Sequence, residues 1–530
     1  MAPSRNVRAG VAASPRCNHG SWVRRGAGVS ERGLRHVVIA GGGTAGWMAA
    51  AALGVLSDLE VTLIESEEIG TVGVGEATIP QIRLFNAAVG LDEGEFFRAT
   101  RGSYKLGIMF EGWSGEGSRY MHAFGPTGAA HGVLPFHHHW LHARSAGLAR
   151  DFGAYSLNRV AATAGRVPSP LGRGDEPQSP YAYHFDAALY AKLLRAHAEA
   201  AGVRRVEGRI VDVVLSSDGE AVEALVLASG SRIPADFFVD CTGFRAVLLE
   251  ALAPREFDNW SHWLPCDRAW AVPCAAAGDF TPYTRATARQ AGWQWRIPLQ
   301  HRIGNGYVFC SRFCDEEDAR RVLLANLDGE PESDPRLLSF TTGTRRRHWV
   351  GNCVALGLAA GFMEPLESTS IHLVQSSIAR LLQLLPSDPR ATCCAVEFNR
   401  QAQSEWCRIR DFLILHYHAN GRQGEPFWDE RRAAALPDTL VEQLELWRHT
   451  ATVSRRDEDL FTLEGWSQVL IGQNILPACV HPLAAGAEPE ALRARLDAIL
   501  ARHAAAVERM PTHAAALRQA MMTEPQRKRA

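Results

Sequence analysis

The chain has 530 residues, 46% of them hydrophobic and 22% charged, an ordinary globular composition with length enough for a sizeable core and for several units of ~150 residues. Lys+Arg 56 against Asp+Glu 58 leaves a net charge of -2, so no overall field points at nucleic acid or at a membrane surface. No run of ~18 apolar residues occurs, which speaks against a transmembrane helix, and the 11 cysteines include no CxxC pair, which suits reduced thiols in a cytoplasmic protein better than a disulfide framework.

Residues 1–35 carry seven arginines and a single acid, Glu31, with no apolar stretch behind them. They read as a disordered Arg-rich tail outside the fold, and the missing apolar region argues against a secretory signal. The fold is expected to begin at His36. Val37 to Ala40 is the short apolar run of a buried strand, Trp47 to Leu56 is an Ala-rich helix, and Val61 to Ile64 is a second strand closing on Glu65. Between strand and helix stand Gly41, Gly42, Gly43, Thr44, Ala45 and Gly46, a G-x-G-x-x-G match. Glycines there permit a tight turn and let the backbone approach a pyrophosphate seated on the helix N-terminus. Glu65, 19 residues after Gly46, is placed to accept hydrogen bonds from ribose hydroxyls. The motif does not separate FAD from NAD, but its early position before several hundred further residues favours FAD as a resident cofactor.

Gly73 to Pro80 reads GVGEATIP, and Ser103-Tyr104-Lys105 follows downstream. Lys105 adjoins Leu106-Gly107-Ile108, and a lysine held in an apolar cavity has a lowered pKa and serves as nucleophile or proton donor. The alternative for Lys105 is a strand edge with its ammonium in solvent. His137, His138 and His139 are consecutive, so they cannot all face one ion from a helix or strand, and no metal is read there. Residues 165–180 hold four prolines and predict a surface loop. Ala187 to Ala201 reads as a helix, Ile210 to Leu215 with Ala224 to Leu227 as a hairpin, and Phe237 to Asp240 as another buried strand.

In Trp293-Gln294-Trp295-Arg296-Ile297-Pro298 the residues Trp293, Trp295 and Ile297 alternate, so on a strand they share one face, and Pro298 closes the ladder. A core strand of a sheet is the plain alternative. Cys310 and Cys314 lack the second pair that zinc requires. Gly357-Leu358-Ala359-Ala360 is a second glycine segment, and Gly361 to Ser370 reads as a turn entering a helix near Ile371. Exposed N–H groups at such a helix start suit an anion such as chloride or bromide. From Ile371 onward strand signals fade; in residues 490–503, for example, Leu492, Leu496 and Ile499 share one helix face. The expected plan is an α/β module over 36–385 and a helical, substrate-side module over 386–530.

Taken in order, GGGTAGWMAA, GVGEATIP, SYK, WQWRIP and EPLEST resemble the flavin-dependent tryptophan halogenase family, from about residue 36 to the C-terminus. The resemblance implies a box-like FAD-binding, Rossmann-like module of the flavin monooxygenase type joined to the helical module, with a tunnel between them. It also implies FADH2 from a separate NAD(P)H-dependent flavin reductase, O2 as co-substrate, a halide and a small aromatic substrate. Oxygen would convert the reduced flavin to a C4a-hydroperoxide, halide would attack it, and hypohalous acid would travel to Lys105. There the lysine either forms a haloamine or holds the acid by hydrogen bonding, and Glu367 orients the halogenating species or takes the ring proton.

The same resemblance puts halide against Thr369 and Ser370, Leu358 and Ile371 along the flavin, and Ile210 at the adenine end. Trp293 and Trp295, with Ile297 and Pro298, would stand beside the flavin and keep organic substrate away from it. His122 and Phe124 are candidate substrate contacts on either side of an indole, with plain core packing as the alternative. The family commonly has Gly where Ser370 stands, so a preference for bromide over chloride is expected. No match to a lid that grips an amino acid's charged ends is found, and Trp428, Trp447 and Trp466 read equally well as helical core. An open site for indole or a larger aromatic is therefore expected over free tryptophan. The competing functional readings are a flavin-dependent aromatic hydroxylase and a non-catalytic flavin-binding protein, and a homodimer is left open.

Overall fold

A computed structural model describes residues 33–68, 75–168, 179–278, 280–388, 391–456 and 459–522. The tail up to residue 32, Gly73 and Val74 of the GVGEATIP segment, and the middle of the proline-rich loop lie outside the described residues.

The chain opens with β1 (His36–Ala40), α1 (Thr44–Leu56) and β2 (Glu60–Glu65). β1 pairs in parallel with β2 on one side and with Phe237–Asp240 on the other, inside a six-stranded sheet that continues to Cys353–Ala355 and Trp349–Val350 at one edge and Arg204–Glu207 at the other. A central parallel strand is covered on both faces, which is why Val37 to Ala40 form an unbroken apolar run, each 0% exposed. α1 begins at Thr44, three residues before the sequence expectation, so Gly43 is its N-cap and the glycine motif runs into the helix itself.

The second body is a seven-stranded sheet in the order Arg336–Ser339, Arg268–Ala275, Arg302–Phe309, Gly292–Pro298, Thr284–Arg289, Gly107–Glu111, Arg119–Ala123. A small sheet of Gly75–Ala77, Ala182–Asp186 and Ser103–Lys105 lies on it, and Gly75 and Gly304 meet closely: a Cβ on Gly304 would sit 3.4 Å from Gly75 Cα. This contact sets Ser103–Lys105 beside the end of Gly292–Pro298, where Ser103 Oγ donates to Pro298 O at 2.6 Å. The hairpin of Ile210–Leu215 and Val222–Leu227 forms as expected and gains a third strand, Arg232–Pro234.

After Ser370 every regular element among the described residues is helical. The longest, Thr392–His418, is buried on one face early on but on all sides from Ile409 to Tyr417, so its end runs through the core. Leu463–Gly472 packs on Arg119–Ala123, which closes the helical layer over the edge of the second sheet. Helices Phe136–Ser145 and Leu157–Thr163 pack with Pro482–Ala485 and Pro489–Arg509, and Trp140 and Ala161 are buried there. No helix of the described residues is long and apolar enough to cross a membrane.

Candidate active site

The glycine turn is forced by close backbone approach. Gly41 has φ +108, and a Cβ there would stand 2.3 Å from Cys241 O; one on Gly46 would stand 1.9 Å from Gly41 O. Gly43 by contrast faces open space, with nothing within 4 Å, and no side chain caps the helix it begins. Free N–H groups and an open approach are what a pyrophosphate requires, so the loop fits a dinucleotide cofactor. Asp240, at the tip of the neighbouring strand, shapes the facing wall: its carboxylate accepts from Thr242 N, Leu248 N and Leu249 N at 2.9–3.0 Å.

Glu65 closes the other side, where a Cβ on Gly42 would fall 1.7 Å from its Oε2. Its carboxylate accepts from Trp47 Nε1 at 3.2 Å and pairs with Arg205. Gly208 N donates to Glu65 O at 2.8 Å, which sets half-buried Ile210 close to the tip of β2. The second glycine segment packs on the first, for a Cβ on Gly357 would come 2.9 Å from Ala45 Cβ. Leu358 lies in the 3-10 turn Gly357–Ala359, and Ile371 is 6% exposed in the helix behind it.

Lys105 is 0% exposed, which removes the reading of a solvated strand-edge lysine. Its Nζ donates to Ser368 Oγ at 2.7 Å and lies 5.4 Å from the ring centroid of Phe124. Burial presses its pKa down to about 7, with Glu367 pulling the other way. Ser368 ends the turn Pro365–Glu367 at φ +59, a left-handed conformation unusual for a residue with a Cβ and typical of functional turns.

Glu367 is 1% exposed and held by two histidines: His122 Nδ1 donates to Oε2 at 2.8 Å, and His416 Nε2 lies 2.7 Å from Oε1. Burial alone would raise its pKa, but the two histidines outweigh burial and hold it at about 2. Thr369 follows, 1% exposed with Oγ1 unpartnered, and Ser370 opens the helix Ser370–Leu384 with no side-chain cap. An orphan hydroxyl at an uncapped helix start is chemically suited to an anion.

Trp293, Trp295 and Ile297 share one face as the alternation requires, but the strand is buried on both faces. Trp293 Nε1 donates to Glu364 Oε2 at 2.9 Å, and Tyr417 OH donates to the same oxygen at 2.7 Å. Burial raises Glu364 to about 7. Pro298 is the last residue of the strand. Trp295 covers Gly306, where a Cβ would meet its ring at 2.0 Å.

His122 faces Phe412 and Phe461 with ring centroids at 5.6 and 6.0 Å, and Gly465 leaves room for it. The structure thus brings Lys105, Phe124, His122, Glu367, Thr369 and Ser370 into one neighbourhood, and the glycine residues, Glu65, Leu358 and Ile371 into another. Trp428, Trp447 and Trp466 are buried helical core, 0%, 0% and 6% exposed. His137, His138 and His139 are buried on Phe136–Ser145, and among the described residues no group of three His, Cys, Asp or Glu is placed to hold a metal. Sequence reading missed Ser368, Glu364, Tyr417 and above all His416. The signal for His416 was there: a histidine inside the apolar run Phe412-Leu413-Ile414-Leu415 must find a partner when the helix is buried all round.

Comparison with known proteins agrees with this arrangement. Residues 36–489 match the family model described as tryptophan halogenase. The chain is 34% identical over 520 residues to the tryptophan 6-halogenase SttH of Streptomyces toxytricini, covering 91% of this chain and 98% of that protein. It is similar in structure to Xcc4156, a flavin-dependent halogenase from Xanthomonas campestris, with 47% identity and a TM-score of 0.89 over 92% of this chain and 98% of that one. BrvH, a flavin-dependent halogenase from Brevundimonas sp. BAL3, is 42% identical with a TM-score of 0.87 over 92% and 99%.

Proposed function

Since the chain belongs to the tryptophan halogenase family and is a flavin-dependent halogenase, we propose that Lys105 receives hypohalous acid and delivers its halogen to an indole-like aromatic, with Glu367 as its partner. Reduced FAD, O2 and halide supply that acid when the cofactor is bound. Gly43, the uncapped N-terminus of α1 and Glu65 would hold the nucleotide portion, with Leu358 and Ile371 along the flavin and Ile210 toward the adenine. A diffusible reductase supplies the reduced flavin.

The observation that carries the reading is the burial of Lys105 with its Nζ on Ser368 Oγ at 2.7 Å, one residue from Glu367. A lysine near pKa 7 in a dry site is able to hold the acid as ammonium or attack it as amine, and either route uses the same geometry. Glu367 stays ionised at any working pH, which lets it orient the halogenating species or take the ring proton. An arenium ion is so strong an acid that a weakly basic carboxylate suffices.

Thr369 Oγ1 and the helix start at Ser370 are the proposed halide seat, and Ser370 in place of glycine favours bromide. His122 and Phe124 bracket the substrate ring, and the Phe412 and Phe461 rings near His122 suit an aromatic without charged ends, in keeping with an open site. Trp293 and Trp295 keep that substrate from the flavin.

The test is incubation with FAD, a reductase, NADH and indole, with bromide or chloride, and mass spectrometry of the product. Bromoindole in excess over chloroindole supports the reading; hydroxyindole supports the hydroxylase alternative, and flavin binding without any product supports the non-catalytic one.

A further inference from the structure

Behind Glu367, the buried end of Thr392–His418 carries a chain of polar contacts whose protons can be placed atom by atom. His416 is 0% exposed, with Nε2 2.7 Å from Glu367 Oε1 and Nδ1 3.1 Å from the Tyr120 hydroxyl. The chain ends on Gln473. One end of that amide faces His416 O at 3.1 Å and Ala419 O at 3.0 Å; the other faces Tyr120 OH at 2.7 Å. Carbonyl oxygens only accept, so the amide nitrogen faces the two carbonyls and the amide oxygen faces the hydroxyl.

Everything upstream then follows. Tyr120 gives its single proton to Gln473 Oε1, so toward His416 it can only accept, and Nδ1 must carry a hydrogen. On the far side, Nε2 confronts a carboxylate that already accepts from His122 Nδ1. Nε2 and Oε1 make no aligned hydrogen bond, yet they stand 2.7 Å apart, closer than two unprotonated heteroatoms settle, which is the contact of an imidazolium with a carboxylate.

We propose that His416 is a positioning residue that works as an imidazolium, occupying one oxygen of Glu367 and cancelling the pull of that carboxylate on the proton of Lys105. The proposal rests on the reading of Lys105 and Glu367 as the halogenating pair. Its surroundings suit the charge independently of the hydrogen bonds. Phe110 stacks on the ring at 4.7 Å and 16°, and Phe412 and Trp113 stand edge-on at 5.3 and 5.9 Å. An aromatic face in contact with a cation is attractive through its quadrupole. Burial is the larger effect and lowers the His416 pKa, with the contact to Glu367 opposing it; the charge is argued from the 2.7 Å contact and the donor and acceptor accounting. The titratable groups that bear on His416 are Glu367, Tyr120 and His122, and those that bear on Lys105 are Glu367 and, across Ala182–Asp186, His184.

The consequence is electrostatic. With His416 charged, the His416–Glu367 pair is neutral overall, and Lys105 sheds its proton readily in its dry site. Replacing His416 by a neutral donor leaves Glu367 with His122 alone, so the carboxylate pulls harder on Lys105, which then keeps its proton to higher pH.

The experiment uses the full chain labelled with 15N-histidine, at pH 8, where an ordinary histidine is neutral. One histidine should show both ring nitrogens protonated, and that signal should vanish in His416→Gln and in Glu367→Gln. A wild-type spectrum without a doubly protonated histidine, or a signal that survives in His416→Gln, overturns the proposal. A wild-type spectrum that lacks the signal decides against the proposal even if a variant does not fold. In the second arm, the limb of the pH profile for indole bromination that reports Lys105 should move up by ~1 pH unit in His416→Gln. Activity that falls with the profile unmoved is what a packing role would give, and overturns it. Should Glu367→Gln brominate indole as well as wild type although the wild-type protein shows the imidazolium signal, the role toward Lys105 is overturned and the charge state of His416 is upheld.

Discussion

Lys105 and Ser368 are joined by a 2.7 Å hydrogen bond between two side chains that are both buried, across 263 residues of sequence. The bond ties the small sheet that presents the lysine to the turn that presents Glu367, Thr369 and Ser370. It is also bought with strain, since Ser368 sits at φ +59.

Ser368→Ala and Ser368→Gly separate these two facts. Both remove the acceptor of the Lys105 ammonium and should lower halogenation by about 10- to 100-fold, given that an unsatisfied buried charged donor costs on the order of 1–3 kcal/mol. Glycine alone relieves the left-handed backbone, so Ser368→Gly should unfold at higher denaturant than Ser368→Ala, by ~1 kcal/mol. Equal stability of the two, measured by urea titration, would contradict the strain; wild-type turnover in both would contradict the contact.

The glycine loop gives a second contrast. Gly46→Ala sets a Cβ 1.9 Å from Gly41 O, so it should distort the turn and lower stability measurably. Gly43→Ala meets nothing within 4 Å of the protein, so it should fold like wild type and yet bind FAD more weakly, because the new methyl group takes the space in front of the helix start. Equilibrium binding followed by flavin fluorescence checks this. Unchanged FAD affinity in Gly43→Ala would remove the cofactor from that loop.

Much of this was legible in the sequence. Gly41 to Gly46 could be read because a turn that tight leaves no room for side chains, and Lys105 because lysine is rare in apolar surroundings. The packing of Phe136–Ser145 against Pro482–Ala485 was not legible, because the two segments lie far apart along the chain. The apolar run before His416 marks a histidine in need of a partner, but the partners themselves were not legible for a similar reason. Its partner Glu367 is 49 residues earlier and its second partner Tyr120 almost 300, and no local pattern marks such a triad. The strand Gly292–Pro298 shows the limit of periodicity, since Gln294 and Arg296 are buried opposite the tryptophans and the alternation marks two buried faces instead of one.

Acid should destabilise the protein through its buried histidines, among them two on the helix Phe136–Ser145. Burial lowers His137 and His138 to about 4 from an ordinary 6.5. Between those values the unfolded chain binds more protons than the folded one, so stability is complete above pH ~6.5 and declines as pH falls toward ~4. Urea midpoints at pH 7, 6 and 5 should fall steadily, and the fall should be shallower in His138→Gln. A midpoint that holds from pH 7 to pH 5 would show that these histidines are protonated without cost in the fold.

The central claim is that Lys105 handles the halogen after the flavin has done its part. The most direct measurement compares Lys105→Ala with wild type, supplied with reduced flavin, bromide, O2 and indole in the presence of a scavenger of free hypobromous acid. The account predicts flavin oxidation at the wild-type rate, bromine recovered on the scavenger, and bromoindole reduced by at least ~100-fold. Bromoindole formed by Lys105→Ala at close to the wild-type rate, with the scavenger present, would contradict it.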